Sequence, residues 1–127
     1  MAERYRRFVT SVPATTLTTV YTAPNDGVVG NLGSAESVII GFLIANTSTA
    51  AAEITVDLVD HYNNTTPLTV KIADTIPLPA DSTVDIVPGK LVLQHAPRET
   101  TEALTGDILK ITSTQTCDVT ISVVERV

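Results

Sequence analysis

The 127-residue sequence contains no tryptophan, one cysteine and only 4% aromatic residues. A single cysteine excludes an intrachain disulfide, so we expect folding in a reducing compartment. The aromatic shortage argues against a carbohydrate-binding module of an adhesin, because sugar-binding platforms usually need exposed aromatic rings. A carbohydrate-binding module is therefore a less favoured function for this sequence.

Cations are also scarce. Eight Lys and Arg residues stand against fourteen Asp and Glu, which gives a net charge of −6. This balance argues against nucleic acid as the main partner, since phosphate binding needs a concentrated positive surface. No apolar run approaches the roughly 20 residues of a membrane span. The opening "MAERYRRFVTSV" lacks an apolar signal-peptide core, so we expect no signal peptide and synthesis in the cytoplasm.

The residues that are abundant favour β-structure. Thr, Val, Ala and Ile dominate, and β-branched side chains suit a pleated sheet better than a helix. Alternating polar and apolar residues are clearest in "AEITVDLVD" (52–60) and "CDVTISVVERV" (117–127), where Val119, Ile121, Val123 and Glu125 share one face. About eight short strands separated by Gly/Pro turns predict an all-β fold, a single antiparallel β-sandwich of jelly-roll or Ig-like type.

Short links suggest that consecutive strands pair with each other. We interpret 7–23 and 106–127 as two local strand pairs, and Asn46 to Thr49 as the turn of a β-hairpin. The glycosylation triplet Asn46-Thr47-Ser48 in that turn is then incidental. The run "SVIIGFLIAN" (37–46) predicts a central strand covered on both faces, and Gly41 within it predicts a bulge.

Two segments fall outside the strand pattern. Residues 1–8 predict an N-terminal arm, which leaves 9–127 as the β-sandwich domain. The stretch "HAPRETTEALTG" (95–106) predicts a short helical or loop excursion, with Pro97 able to open a helical turn and Gly106 able to close it.

No residue pattern indicates catalysis or metal binding. Asp57, Asp60 and His61 cluster at a strand end, but only two histidines exist, and a calcium cage needs six to eight oxygen ligands. Cys117 opens a strand without the helix N-terminus that would activate a thiol. We therefore expect no enzyme activity, no catalytic residue, no metal and no cofactor.

Partner contacts have two candidate locations. Arg4, Tyr5, Arg6, Arg7 and Phe8 are residue types that anchor protein interfaces, although a frayed terminus explains them equally well. His95, Arg98, Glu99 and Glu102 lie in the 95–106 excursion, which is either a contact loop or a tolerated surface insertion.

The order of segments resembles a family of small tailed-phage virion proteins, common in marine and cyanobacterial phages. The similarity covers roughly residues 9–127 and is carried by "VIIGFLIANTSTAAAEITVDLVD", "IPLPADSTVDI", "KLVLQ", "GDILKITS" and "DVTISVVERV". The matching positions, which the resemblance implies are important for the fold, are Asn46, Thr47, Ser48, Pro79, Gly106, Asp107 and Glu125. This sequence departs from the pattern where "HAPRETTEALT" is inserted before the "GD" pair.

The resemblance implies a structural role in a virus particle. We expect a capsid decoration (cement) protein of a bacteriophage that bridges major capsid subunits as a homotrimer and is located in the virion. A neck, tail or fibre-base component is the alternative. In both cases the partner is the major capsid protein or another virion protein, with neither nucleic acid nor a membrane involved.

Overall fold

The computed structural model describes residues 3–24, 35–60, 66–87, 89–95 and 106–126. Every regular element in these ranges is a β-strand, and none of the described residues belongs to a helix that could cross a membrane. The strands are β1 (Glu3–Val12), β2 (Thr18–Thr22), β3 (Glu36–Asn46), β4 (Ala52–Asp60), β5 (Leu68–Leu78), β6 (Thr83–Asp85), β7 (Leu91–Gln94), β8 (Ile108–Ser113) and β9 (Cys117–Arg126).

The strands form two antiparallel sheets. Sheet A has the order β1-β9-β3, with β6 and β7 both pairing with the far side of β3. Sheet B has the order β2-β8-β4-β5. The predicted all-β sandwich is therefore confirmed, with nine strands among the described residues.

The pairing is nested from the middle of the chain outward. β4 pairs with β5, β3 with β6 and β7, β2 with β8, and β1 with β9. This is the pattern of a long antiparallel ribbon folded over itself, which is the jelly roll. Of the two sandwich types that the sequence left open, the topology matches the jelly roll.

The predicted local pairs and the predicted hairpin are wrong. β1 and β2, β3 and β4, and β8 and β9 each divide between the two sheets, so the short links between them cross the edge of the sandwich. None of the links 13–17, 47–51 and 114–116 contains the glycine that tight two-residue hairpins favour. Apart from β4 and β5, paired strands thus come from distant parts of the sequence.

The Asn46 side chain holds the corner between β3 and β4. Its amide nitrogen donates to the carbonyl oxygens of Ala50, Leu78 and Pro79 at 2.9, 3.1 and 3.2 Å. Its carbonyl oxygen accepts the backbone N–H and the hydroxyl of Ser48 at 3.0 and 2.8 Å. Asn46 is buried, so the sugar-accepting nitrogen of the triplet is engaged inside the fold.

The core lies between the two sheets and is built from alternate residues of each strand. Sheet A contributes among others Ile39, Phe42, Ile44, Leu93, Ile121 and Val123, and sheet B contributes Val20, Ile54, Val56, Leu109 and Ile111. The predicted bulge in β3 is confirmed, because its register against β9 shifts between Ile39 and Gly41.

Candidate partner-binding surface

A chain of hydrogen bonds joins the two sheets at one end of the core. The Tyr21 hydroxyl on β2 donates to Oε2 of Glu125 on β9 at 2.6 Å and lies 2.7 Å from Oγ of Ser37 on β3. Ser37 Oγ in turn lies 2.6 Å from Nε2 of His95. All four residues are buried, so the chain is shielded from water.

The geometry gives the chain a direction. A phenol has a single proton, and the Tyr21 hydroxyl directs it at the Glu125 carboxylate. When Ser37 donates its own proton to Tyr21, its oxygen accepts from His95 Nε2 in the tautomer that carries the proton there. Burial, followed by the bond to Glu125, raises the pKa of the Tyr21 phenol far above its ordinary value. Tyr21 therefore remains a hydrogen-bond donor throughout the neutral range.

Two arginines of β1 neutralise the buried carboxylate. Arg4 and Arg6 place guanidinium nitrogens 3.1 and 3.5 Å from Oε1 of Glu125. The Glu125 side chain is 1% exposed, whereas those of Arg4 and Arg6 are 48% and 50% exposed. Arg6 also lies 4.8 Å over the Phe8 ring, and this ring meets Tyr21 edge to face at 5.0 Å. These contacts hold the segment of β1 from Arg4 to Phe8 against the core.

The outer face of sheet A carries a row of apolar side chains beside a row of ion-paired ones, in which Arg126 contacts Glu3 and Glu36. Tyr5 pairs with Val124, Val124 with Val38, and Val38 with Val92, so a row of apolar side chains crosses four strands. Further large apolar side chains on this sheet are also exposed, namely Val9, Ile40 and Leu43. The second cover predicted for β3 is absent among the described residues.

Sheet B has fewer exposed apolar side chains, namely Leu68 and Val70 on its edge strand β5, and it carries a polar row. Thr19, Lys110, Asp57 and Lys71 pair in a row across its four strands. Lys71 and Asp57 form an exposed ion pair of 3.5 Å. Because exposed apolar patches mark contact sites more often than mixed charged surfaces do, sheet A is the better candidate for an interface.

The apolar face of sheet A meets a shallow groove at β1. This groove has a volume of about 400 Å³ and is lined by Val9, Thr10, Ser11, Asp118, Val119 and Thr120. At one end of it the Ser11 hydroxyl donates to Asp118 at 2.7 Å.

The structure separates the residues predicted to contact partners. Arg4, Tyr5, Arg6, Arg7 and Phe8 lie in β1, which pairs with β9 over ten consecutive residues, so the boundary drawn after residue 8 falls within a strand. His95 is buried in the hydrogen-bond chain. The remaining candidates, Arg98, Glu99 and Glu102, and most of the predicted excursion at 95–106, lie outside the described residues.

The residues weighed for metal binding and catalysis have ordinary surroundings. Asp57 pairs with Lys71, while His61 lies outside the described residues. No group of three or more His, Cys, Asp or Glu side chains within the described ranges could hold a metal ion. Cys117 is buried, and burial raises the pKa of its thiol, which disfavours the reactive thiolate.

Sequence reasoning missed Tyr21, Ser37 and the internal position of His95. The usable signal was Glu125, whose alternation with Val119, Ile121 and Val123 places a carboxylate on a buried face. A buried carboxylate requires partners, and Arg4 and Arg6 are the nearest basic residues in the paired strand. The contribution of Tyr21 depends on the packing of the two sheets, which no local pattern encodes.

Neither a known protein family nor a curated protein matches the sequence. Solved structures do match the fold. A chain from the structure of the Gx strain of infectious bursal disease virus aligns over 99% of this chain with a TM-score of 0.54 and 16% identity. A chain from the VP2 subviral particle of the same virus aligns over 98% with a TM-score of 0.54 and 17% identity. This chain spans 33% of each of those chains, and at such identity the likeness establishes a shared jelly-roll fold.

Proposed function

We propose that this chain is a structural protein of a virus particle, and specifically a bacteriophage capsid decoration protein that bridges major capsid subunits. The observation that carries this proposal is the jelly roll itself, which aligns over almost its whole length with part of a chain from a virus particle. The resemblance to small tailed-phage virion proteins supports the same role.

The surface properties are consistent with such a role. Sheet A exposes several large apolar side chains on its outer face, and exposed apolar patches mark contact sites. The net charge of −6 keeps the protein away from packaged nucleic acid. Contacts made across subunit boundaries stabilise a closed shell, because a ligand that binds the assembled form lowers its free energy.

The proposed role is mechanical and not enzymatic. The protein is made in the host cytoplasm, joins the virion, and acts as a homotrimer whose partner is the major capsid protein or another virion protein. Native mass spectrometry of the purified chain tests the trimer, and a monomer at micromolar concentration would contradict it.

Quantitative mass spectrometry of purified virions tests the proposal. A decoration protein follows the icosahedral lattice and occurs in hundreds of copies, whereas a neck, tail or fibre-base ring repeats a small cyclic number, on the order of ten. A count in the hundreds supports the decoration role. A count near ten supports the alternative, and absence from the particle contradicts both.

A further inference from the structure

We propose that the free edge of β1 accepts an extended acidic segment of another polypeptide as an additional strand of sheet A. This proposal rests on the proposed virion role only for the source of that segment. It concerns the strand edge formed by Glu3–Val12, and it specifies both the mode of binding and the chemistry of the partner.

β1 differs from every other edge strand of the described fold. Natural sheets protect their edges with short strands, bulges, proline or charged side chains. β6 and β7 are three and four residues long, and β2 has five residues and a register shift. β5 is long, but it contains Pro77, a positive φ at Thr75 and two register shifts against β4. Each of these edges is therefore a poor template for a further strand.

Of these protections the β1 edge has only charged side chains. Its ten residues pair with β9 without a register shift, and the strand contains neither proline nor glycine. In an antiparallel sheet an edge strand directs about half of its backbone N–H and C=O groups away from its neighbour. Among the described strands, β9 is the only one that pairs with β1. The other side of β1 is thus a regular row of donors and acceptors.

The charge of β1 selects the occupant. Three of the chain's eight Lys and Arg residues, Arg4, Arg6 and Arg7, lie in this strand, although the chain as a whole has a net charge of −6. Arg7 is exposed and forms no ion pair with a described residue, while Arg4 and Arg6 share one buried carboxylate. Pairing with β1 of a second copy would bring six arginines together. An acidic strand would instead gain attraction at the same positions.

The side chains of β1 also predict the sequence pattern of the added strand. Tyr5, Arg7 and Val9 alternate on the outer face, and Tyr5 and Val9 are the two most exposed large apolar side chains, at 76% and 70%. Opposite residues in adjacent strands contact each other directly. The complementary segment therefore places a carboxylate opposite Arg7 and apolar residues on either side of it.

The experiment uses the purified chain and a synthetic ten-residue peptide, matching the ten residues of β1. On one face the peptide carries Val, Glu and Val opposite Val9, Arg7 and Tyr5, and Thr fills the remaining positions. Two further peptides carry N-methyl groups on either the odd or the even residues, and another has Lys in place of Glu. Fluorescence polarisation measures affinity, and hydrogen–deuterium exchange locates protection. Strand addition predicts that the Glu peptide slows exchange in β1 and that only one of the two methylated peptides binds, because a strand pairs through one edge.

Matched variants test the position on the protein. Arg7→Glu reverses the charge on the edge strand, and Val92→Glu places the same residue on the same face at β7, where the side chain is also exposed. We expect Arg7→Glu to weaken binding by about tenfold or more, with little change for Val92→Glu.

Three outcomes overturn the proposal. If both methylated peptides bind with the same affinity, binding does not use backbone hydrogen bonds. If the Lys peptide binds as tightly as the Glu peptide, the partner is not selected by its acidic charge. Protection of β1 that rises with protein concentration in the absence of peptide would assign the edge to a second copy. Each result leaves the virion count unaffected, so failure here is distinguishable from failure of the proposed function.

Discussion

The hydroxyl of Tyr21 on β2 and the carboxylate of Glu125 on β9 form a 2.6 Å hydrogen bond that joins the two sheets of the sandwich. Glu125 receives Arg4 and Arg6 on its other oxygen, so the same carboxylate connects β1 to the core. A buried carboxylate is costly unless it is paired and hydrogen-bonded. Formation of this cluster therefore requires β1, β2 and β9 to be docked together.

Replacement of Tyr21 should change how stability depends on pH. Burial and the bond to Glu125 raise the pKa of Tyr21 above its ordinary value of 10.0. The unfolded chain releases the phenolic proton first, so the contribution of Tyr21 is complete below about pH 10 and is lost above it, at up to about 1.4 kcal/mol per pH unit. Urea unfolding of Tyr21→Phe should show a shallower decline above about pH 10 than the natural chain.

Tyr5→Phe is the matched control for this measurement. Tyr5 is highly exposed, so its removal should leave the alkaline slope of the natural chain unchanged. At neutral pH Tyr21→Phe should lower the free energy of unfolding by about 1–3 kcal/mol, because Glu125 and Ser37 each lose a partner. Identical alkaline slopes for Tyr21→Phe and the natural chain would contradict the burial of the phenol.

Removing the Glu125 carboxylate should destabilise the fold less than removing the two guanidinium groups that neutralise it. In Glu125→Gln the half-exposed guanidinium groups of Arg4 and Arg6 can turn to water, so we expect a loss of about 1 kcal/mol. Replacing both arginines by Met leaves a buried carboxylate without a cation, and we expect a loss of about 3 kcal/mol. A variant that combines Glu125→Gln with Arg4→Met and Arg6→Met should regain much of the free energy of unfolding that the double Met variant loses. Denaturant unfolding measures all three variants, and additive effects would show that the groups are uncoupled.

Strand positions could be predicted from the sequence because they depend on local patterns. The alternation in β4 and β9 and the punctuation by proline predicted strands close to those observed, and the glycine in β3 predicted the bulge at Gly41. The shared face of Glu125, Val119, Ile121 and Val123 was also predicted by alternation, and the structure buries that face. Each of these features is determined by which face of one strand is apolar.

Strand partners could not be predicted in the same way. A short polar link is compatible with a hairpin and with a corner that crosses between sheets, and the corner at Asn46 depends on the carbonyls of Leu78 and Pro79, about thirty residues away. The same limit applies to the cluster around Glu125, where Tyr21 comes from the opposite sheet. Contacts between sheets are fixed by the packing of the whole domain.

A charged side chain at position 46 should destabilise the corner between β3 and β4. In Asn46→Asp a carboxylate oxygen replaces the amide nitrogen and faces three carbonyl oxygens within 3.2 Å, so we expect a loss of about 3 kcal/mol or more. Ser48→Ala, which removes only the hydroxyl that donates to the same side chain, should cost about 1 kcal/mol. Thermal and urea unfolding measure both variants, and equal losses would contradict a role for the amide in holding the corner.

Gly106 should be sensitive to the addition of a single methyl group. A Cβ at this position would lie 2.4 Å from the carbonyl oxygen of Ala23. The following residue, Asp107, accepts a backbone bond from Ala23 and donates one to Gln94, so the backbone cannot shift without loss of these bonds. We expect Gly106→Ala to lower the free energy of unfolding by about 2 kcal/mol. Gly89→Ala, where the new methyl meets no atom within 4 Å, should change it by less than about 0.5 kcal/mol. Denaturant unfolding of the two variants side by side decides the matter, since equal stability would show that the approach of Ala23 to Gly106 is not tight.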